Sequence, residues 1–226
     1  AGIVAQHLSA AGADVTFSTV LGNDSLGEFV INGLKEAGIT YNTVIDATRP
    51  TTNKNAIIAG GYRLLKIDTL DNRAISDLIL DNLLQKIRKT VSDAVVFADF
   101  RHGIFNHQTV PLLTEAIPEK VFRVADSQVA SRWGNITEFE NFDLITPNER
   151  EARFALGDQD STVGALAGTL LEKTSCGLLL LKLGDRGIFA LRSPKSSNPA
   201  DSIDRNHFSI DSFANNVVDA VGAGDA

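Results

Sequence analysis

Strands and helices alternate along most of this chain of 226 residues, and this alternation limits its fold more than any other feature. The predicted strands are short apolar runs rich in branched residues, at 94–98, 121–125, 143–146, 178–181 and 188–191. The helices among them are predicted from apolar residues at helical spacing, at 76–89, 106–117, 162–174 and from Pro147 onward. Such an order is typical of an α/β fold with a mainly parallel central sheet and flanking helices.

The N-terminal part shows the same alternation and then a different middle. A helix is predicted at 3–11, a strand at 15–20, and a second helix that starts at a capping box of Ser25 and Glu28. Between 41 and 68, three strand-like runs follow without a helix, and Gly60-Gly61 joins the last two as a hairpin signal. We therefore expect one domain over 1–226 with a small antiparallel β lid at about 41–68.

Composition excludes several classes of function. A formal net charge of −7 argues against non-specific nucleic-acid binding, which needs a basic surface. The sequence contains neither an apolar run long enough for a membrane span nor a signal peptide, so we expect no membrane partner and a cytoplasmic location. The single Cys176 follows an apolar helix and precedes an apolar strand, which predicts a buried, reduced thiol.

Three polar turns follow predicted strands, at 99–103, 147–151 and 184–187. Open α/β sheets bind ligands beyond the carboxyl ends of their strands. The turns therefore predict a ligand site at this edge of the sheet.

The strongest motif is DAVGAGDA at 219–226, which follows a Val-Val strand. Its small residues let backbone N–H groups approach an anion closely. An Asp at the end of such a loop repels phosphate, but Asp225 is well placed to take a proton from a hydroxyl that attacks phosphate. The same residues also fit a glycine-rich strand-to-helix turn with an N-cap Asp.

This motif resembles the C-terminal signature of the PfkB (ribokinase-like) carbohydrate kinases, D-T-x-G-A-G-D, with Ala220 in place of Thr. The resemblance implies a ribokinase-like three-layer fold and assigns the catalytic base to Asp225. It implies an anion hole formed by Gly222, Ala223 and Gly224. It also implies a site for a monovalent cation such as K⁺ at Asp219 and Val221.

Two further motifs resemble the nucleotide side of the same family. Asn148 and Glu151 match N-x-x-E, which the family uses to support Mg²⁺ and phosphates through water, although the pattern also fits a capping box. Lys182, Gly184 and Gly187 match T-x-G-x-x-G, which passes the nucleotide phosphates, with Lys182 in place of Thr. A lysine can meet phosphate as a point charge, while G-x-x-G also fits a plain hairpin turn.

Other segments resemble the heptose-phosphate kinase branch of the family. ADFRHG at 98–103 is similar to the branch pattern S-D-Y-x-K-G, with His in place of Lys, and segments 52–54 and 126–148 add to the likeness. The substrate contacts that the resemblance implies are Lys54, Asp99, Arg101, His102 and Asp126. An exposed turn histidine is the alternative for position 102.

The expected activity is transfer of the ATP γ-phosphoryl group, with Mg²⁺, to a hydroxyl of a sugar or sugar phosphate such as a heptose phosphate. The alternatives are a PfkB kinase with a fructose, ribose or nucleoside acceptor, and a catalytically silent binding or assembly module. The silent module stays open because the chain departs from the family pattern at Ala220, at Lys182 and at Ile3, which stands where the family has a sugar-binding Asn. A homodimer through the β lid is also expected, because lids in this family often mediate dimers.

The sequence contains no Met. The likeness to the family begins after its N-terminal glycine pair and stops at the catalytic turn. We therefore expect a piece of a longer protein that lacks both ends of the kinase domain, and we expect the isolated chain to be a poor kinase.

Overall fold

The computed structural model describes residues 1–60, 62–128, 135–193 and 206–213. These residues belong to two compact units, of which one comprises Ala1–Val91 and Arg101–Ala116. The other comprises Ser92–Phe100 and the described part of Ile117–Ala226. The signature at 219–226 lies outside the described residues.

The first unit is built on a pair of parallel strands, β1 and β2, which the helix α2 connects. Its core includes Ala5, Leu34 and Ile39, against which Phe17 and Val30 pack. The elements of this unit are α1 (Gly2–Ala10), β1 (Thr16–Leu21), α2 (Ser25–Glu36), β2 (Thr40–Ile45), β3 (Asn53–Ala59), β4 (Tyr62–Thr69), α3 (Asp77–Lys89) and α4 (Thr109–Glu115).

Only part of the segment 41–68 forms the expected antiparallel lid. β2 pairs in parallel with β1, with Thr16 opposite Thr40, so the prediction that its run belongs to the antiparallel flap is wrong. The physical reason is the helix between them, because a strand–helix–strand unit brings its strands together in parallel. β3 and β4 alone pair as an antiparallel hairpin, from Asn53 opposite Thr69. We call these two strands the hairpin.

The second unit contains a six-stranded sheet in the order β10-β9-β8-β7-β6-β5. The strands from β5 to β8 run parallel, and β9 and β10 extend one side of the sheet as antiparallel strands, so the expected mainly parallel sheet is confirmed. The elements are β5 (Ala94–Asp99), β6 (Phe122–Ser127), β7 (Leu144–Ile145), α5 (Glu149–Leu156), α6 (Val163–Thr174), β8 (Leu178–Lys182), β9 (Ile188–Arg192) and β10 (His207–Ile210).

Three phenylalanines form the aromatic centre of the second unit. The ring of Phe97 on β5 lies 6.1 Å from that of Phe139 and 5.5 Å from that of Phe142, measured between centroids. Phe139 and Phe142 meet edge to face at 5.5 Å. Such edge-on contacts add to the hydrophobic stabilisation from burial, and they fix the segment between β6 and β7 against the sheet.

Local polar contacts set where the helices begin. The Asp24 side chain caps α2 by accepting from Gly27 N–H, so the predicted capping role of Ser25 is wrong. α4 begins at Thr109 rather than near 106, because Asn106 Oδ1 accepts the N–H groups of Gln108 and Thr109 in a turn. Ser76 caps α3, because its side chain accepts a hydrogen bond from Ile79 N–H.

Cys176 is fully buried, as expected, and burial raises the pKa of its thiol. None of the helices in the described part of the chain combines the length and hydropathy that a membrane span requires.

Candidate active site

The ends of β6 and β8 carry an ion pair. Lys182 Nζ lies 2.9 Å from Asp126 Oδ1, and Thr146 Oγ1, beyond β7, donates to the same oxygen at 3.1 Å. The three strands are neighbours in the parallel part of the sheet, so their carboxyl ends meet at one edge. The structure thus brings together Asp126 and Lys182, two residues that sequence analysis assigned to different substrates.

Asn148 and Glu151 form a complete capping box at the start of α5. Asn148 Oδ1 accepts from Glu151 N–H at 2.8 Å, and Glu151 Oε2 accepts from Asn148 N–H at 2.8 Å. The box accounts for one of the two carboxylate oxygens of Glu151. The structure therefore contains the capping box that N-x-x-E also fits. The box engages Oε2 of Glu151, so the predicted role of the motif beside the phosphates stays a prediction.

Burial raises the pKa of Glu151, whose side chain is almost wholly inside the protein. The nearby positive charge of Lys182 acts in the opposite direction, while the negative charge of Asp126 adds to the rise. The charge state of Glu151 therefore depends on the same ion pair that joins β6 to β8.

A cavity of about 400 Å³ lies beside this cluster. Three of its lining side chains are cationic, and it is lined by Asn148, Glu149, Arg150, Arg153, Lys182, Leu183 and Gly184. The start of α5 also presents backbone N–H groups and the positive end of a helix dipole. Both features favour an anionic ligand.

Glu149 partly offsets this positive charge. Its carboxylate pairs with Arg153, at 2.8 Å between Oε1 and Nη2, and with Arg186. The hydrogen bond from Arg153 lowers the pKa of Glu149, which is therefore ionised at neutral pH. Among the described residues, Glu149 is the one acidic residue that lines the cavity, against the cationic Arg150, Arg153 and Lys182, so the lining side chains keep a net positive charge.

The turn after β8 contains the two predicted glycines. Gly184 and Gly187 both have positive φ angles, of 66° and 86°, which favour glycine. Gly184 lines the cavity. A side chain at Gly187 would collide with the backbone of Ile210 and Asp211, so this glycine lets β10 lie close to the turn. The turn also joins β8 and β9 as an antiparallel pair, as a plain hairpin turn does.

The other predicted substrate residues occupy different surroundings. Asp99, at the end of β5, is fully buried and accepts from Ser127 Oγ at 3.0 Å. In the first unit, Arg101 is buried in a left-handed conformation with φ of 55°, and its Nη1 donates to Phe105 O. His102 Nδ1 lies 2.9 Å from Asn72 Oδ1, and Lys54 is exposed on the hairpin.

The predicted residues of the C-terminal signature lie outside the described residues: Asp219, Val221, Gly222, Ala223, Gly224 and Asp225. Their roles stay predictions. Within the described ranges, no group of three His, Cys, Asp or Glu side chains is arranged to hold a metal ion.

Sequence reasoning missed three arginines. Arg150 and Arg153 line the cavity, and both lie within or just after the N-x-x-E motif, so their place on the first turns of α5 was a usable signal. Arg49 in the first unit donates hydrogen bonds to the backbone carbonyls of Arg73, Ala74 and His102. No spacing pattern marks Arg49, because its partners are backbone carbonyls far along the chain.

Comparison with known proteins identifies the family. The profile described as pfkB family carbohydrate kinase matches residues 3–226. The chain belongs to the pfkB family. The resemblance noted in the sequence is therefore confirmed, and the family is one of phosphotransferases that act on sugars.

Individual relatives agree with this assignment. The bifunctional protein HldE of Helicobacter hepaticus is 28% identical over 230 residues, which cover 98% of this chain and 44% of that protein. The chain thus spans less than half the length of that curated relative.

Solved structures share the fold. Ribokinase from Giardia lamblia has a TM-score of 0.75 at 18% identity, covering 99% of this chain and 67% of that one. Phosphofructokinase-2 from Escherichia coli in complex with potassium has a TM-score of 0.69 at 16% identity, covering 92% and 64%. These likenesses confirm the expected ribokinase-like fold, and at such identities they show the fold alone.

Proposed function

We propose that the protein containing this chain transfers the γ-phosphoryl group of ATP to a hydroxyl of a sugar or sugar phosphate. The single observation that carries the proposal is the cationic cavity at the start of α5 in a chain of the pfkB family. Phosphoryl transfer depends mainly on positioning and on stabilising negative charge. A cavity with three cationic side chains and a helix N-terminus is suited to both tasks.

The nucleotide phosphates fit this cavity by charge. Lys182 and Arg150 would attract the phosphates, and Gly184 lets the backbone approach them. Asn148 and Glu151 would support Mg²⁺ through water, since Mg²⁺ usually keeps several waters and binds one or two carboxylates together with substrate phosphates. When bound, ATP supplies the phosphoryl group and Mg²⁺ neutralises charge on its phosphates.

Asp126 has a changed role in this proposal. Its carboxylate holds Lys182, so it fixes the ammonium group at the end of β8. Asp126 remains a candidate to bind a hydroxyl of the acceptor sugar through Oδ2. This oxygen has only a weak hydrogen bond from Gln128 Nε2, at 3.3 Å. Asp99 is fully buried, and we propose that it supports the site through Ser127 rather than by contact with the sugar.

The acceptor is proposed to be a sugar phosphate of the heptose class. The support is the resemblance of the turn 98–103 to the heptose-phosphate branch and the 28% identity to a protein named HldE. Arg101, His102 and Lys54 carry or can carry positive charge, which suits an acceptor that already bears a phosphate. Fructose, ribose and nucleoside acceptors are the competing possibilities.

Asp225 is proposed as the catalytic base. It would take the proton of the acceptor hydroxyl while that oxygen bonds to the γ-phosphorus, and the bond from this phosphorus to the bridging oxygen breaks. Backbone N–H groups of Gly222, Ala223 and Gly224 would stabilise the charge on the group in transfer. Asp219 and Val221 are proposed to contribute to a monovalent-cation site, and the support for all six residues is the signature they form.

The hairpin is proposed to act as a lid and as a dimer surface. Several of its large apolar side chains are about half exposed or more, at Ile57, Ile58, Leu64, Leu65 and Ile67. A two-stranded hairpin is marginally stable alone in water, so covering this apolar surface favours its folded state. We propose that a second copy covers it, and sedimentation of wild type and Ile58→Lys would test the dimer.

The proposed function is tested by ATP turnover with the full-length product of the gene that encodes this chain. The acceptors would include heptose phosphates, fructose 6-phosphate, ribose and a nucleoside, and product formation would be followed by mass spectrometry. We expect acceptor-dependent ADP formation, fastest with a heptose phosphate. Nucleotide binding without transfer to any acceptor would instead support the silent module, the alternative that the departures at Ile3, Ala220 and Lys182 leave open.

A further inference from the structure

The guanidinium group of Arg49 connects three separate segments of the first unit. Its Nη2 donates to Arg73 O and Ala74 O, both at 3.2 Å, just after β4. Its Nη1 donates to His102 O at 3.4 Å, in the turn that follows β5. Its Nε donates to Asp46 Oδ2 at 2.8 Å, at the end of β2.

Arg49 is held firmly in this position. The side chains of Arg49 and Asp46 are only 8% and 6% exposed, so their ion pair is largely shielded from water. Thr48 Oγ1 donates to the other oxygen of Asp46 at 2.6 Å, and this hydrogen bond lowers the pKa of Asp46. Asp46 is therefore ionised at neutral pH and fixes the direction of the guanidinium.

The chain enters the hairpin through the segment 49–51 and leaves it through the segment 73–75, and we call these two segments its feet. Both feet lie at the hydrogen bonds of Arg49, which we call the junction. The first foot is tied down at Thr51, whose N–H donates to Asp24 Oδ2 at 2.8 Å and whose Oγ1 accepts from Gly22 N–H at 2.9 Å. The second foot is the segment 73–75, which donates Ile75 N–H to Gly103 O at 3.0 Å. The two feet thus reach each other through Arg49, and the second foot also bonds to the turn.

Gly103 shows how closely these segments approach. Its φ is 99°, and a Cβ at this position would collide with Arg73 O and with Arg49 Nη1. The turn at 101–103 and the second foot therefore lie against each other with no room for a side chain. A displacement of either segment must displace the other or break the hydrogen bonds of Arg49.

We propose that Arg49 is a positioning residue that couples the two feet of the hairpin to the turn at 101–103. The inference rests on the proposed function in one respect, since that function gives Arg101 and His102 in this turn contacts with the acceptor. Only the planar guanidinium, with its five N–H donors, reaches the carboxylate and three carbonyls at once. Movement of the hairpin is thereby transmitted to the residues proposed to bind the acceptor.

The test compares Arg49→Lys with Arg73→Lys in the full-length protein. Arg73 is a matched control because it lies at the same junction, but its side chain is 75% exposed and pairs mainly with Asp71. The first measurement is amide hydrogen exchange of the segments 71–76 and 101–105, without any substrate. We expect Arg49→Lys to speed exchange of both segments by about tenfold, and Arg73→Lys to keep both within about threefold of wild type.

The second measurement separates positioning from general stability. Arg49→Lys is expected to raise the acceptor KM by about tenfold and to leave the KM for ATP unchanged, because the nucleotide contacts are proposed at the cavity beside α5. If Arg49→Lys does not fold, Gly103→Ala perturbs the same junction while Arg49 stays, and it is expected to raise the acceptor KM alone.

The outcomes distinguish this inference from the proposed function. Unchanged amide exchange in Arg49→Lys overturns the coupling. The positioning role is overturned if exchange is faster but the acceptor KM is unchanged, or if the KM values for acceptor and ATP rise equally. If wild type transfers phosphoryl to no acceptor, the proposed function fails, while the exchange measurement still decides whether Arg49 couples the hairpin to the turn.

Discussion

Replacing Lys182 with Met tests whether the ion pair at the ends of β6 and β8 stabilises the second unit. Lys182→Met keeps the length and the apolar stem of the side chain but removes the ammonium that lies 2.9 Å from Asp126 Oδ1. Asp126 would keep the hydrogen bond from Thr146 at 3.1 Å and the weaker one from Gln128 at 3.3 Å. The carboxylate would therefore lose its counter-charge without losing every donor.

The magnitude follows from burial. The side chains of Lys182 and Asp126 are 23% and 10% exposed, so solvent screens the pair less than it screens a surface ion pair. Removing one partner of a fully buried pair costs about 3–5 kcal/mol. The remaining donors and partial exposure reduce this figure, and we expect a loss of about 1.5–3 kcal/mol, in the range of hydrogen bonds to charged groups.

Urea unfolding followed by circular dichroism measures this loss. We expect the midpoint to fall while the slope with urea stays unchanged, which identifies a change in stability rather than in the exposed surface. Lys173→Met, on the exposed face of α6, is the matched control and should change the free energy of unfolding by less than about 0.5 kcal/mol. The reasoning is refuted if Lys182→Met behaves like this control, or if Lys182→Met and Asp126→Asn have additive effects in a double-mutant cycle.

Two other substitutions test the second unit. Burial raises the pKa of Glu151 above its ordinary value of 4.5, so ionisation of this group destabilises the fold. The stability of Glu151→Gln relative to wild type should therefore increase as the pH rises from 4.5 through the raised pKa. Urea unfolding across pH measures this difference, and a flat difference would contradict it. Phe139→Ala should cost about 3–5 kcal/mol in the same assay, because the ring is fully buried between Phe97 and Phe142. Phe213→Ala, at a ring that is 88% exposed, should cost little, and equal losses would refute the assigned aromatic core.

The order of elements could be predicted from the sequence because it depends on local patterns. Apolar spacing identified α3, and the branched run at 94–98 identified β5. The partner of β2 was missed although the order strand, helix, strand over 16–45 favours a parallel pair, because the run of β2 was grouped with the helix-free runs that follow it. The run Thr40–Ile45 taken alone fits a parallel and an antiparallel neighbour equally well, so only the helix that precedes it distinguishes the two.

The site was predicted in part for a similar reason. Asn148 and Glu151 are close in sequence, so their spacing predicts the capping box that the structure contains. Lys182 and Asp126 are 56 positions apart, and only the order of strands in the sheet brings them together. Arg49 depends on carbonyl groups, which every residue carries, so the sequence contains no signal for its partners.

The most direct test of the central claim is phosphoryl transfer to the acceptor by wild type and by Asp225→Asn in the full-length protein, with nucleotide binding measured in parallel. Asn keeps the shape of the side chain but cannot act as the base. The proposed mechanism predicts that transfer is nearly abolished while nucleotide binding is retained. Unchanged transfer in Asp225→Asn would contradict the assignment of the base and, with it, the proposed mechanism.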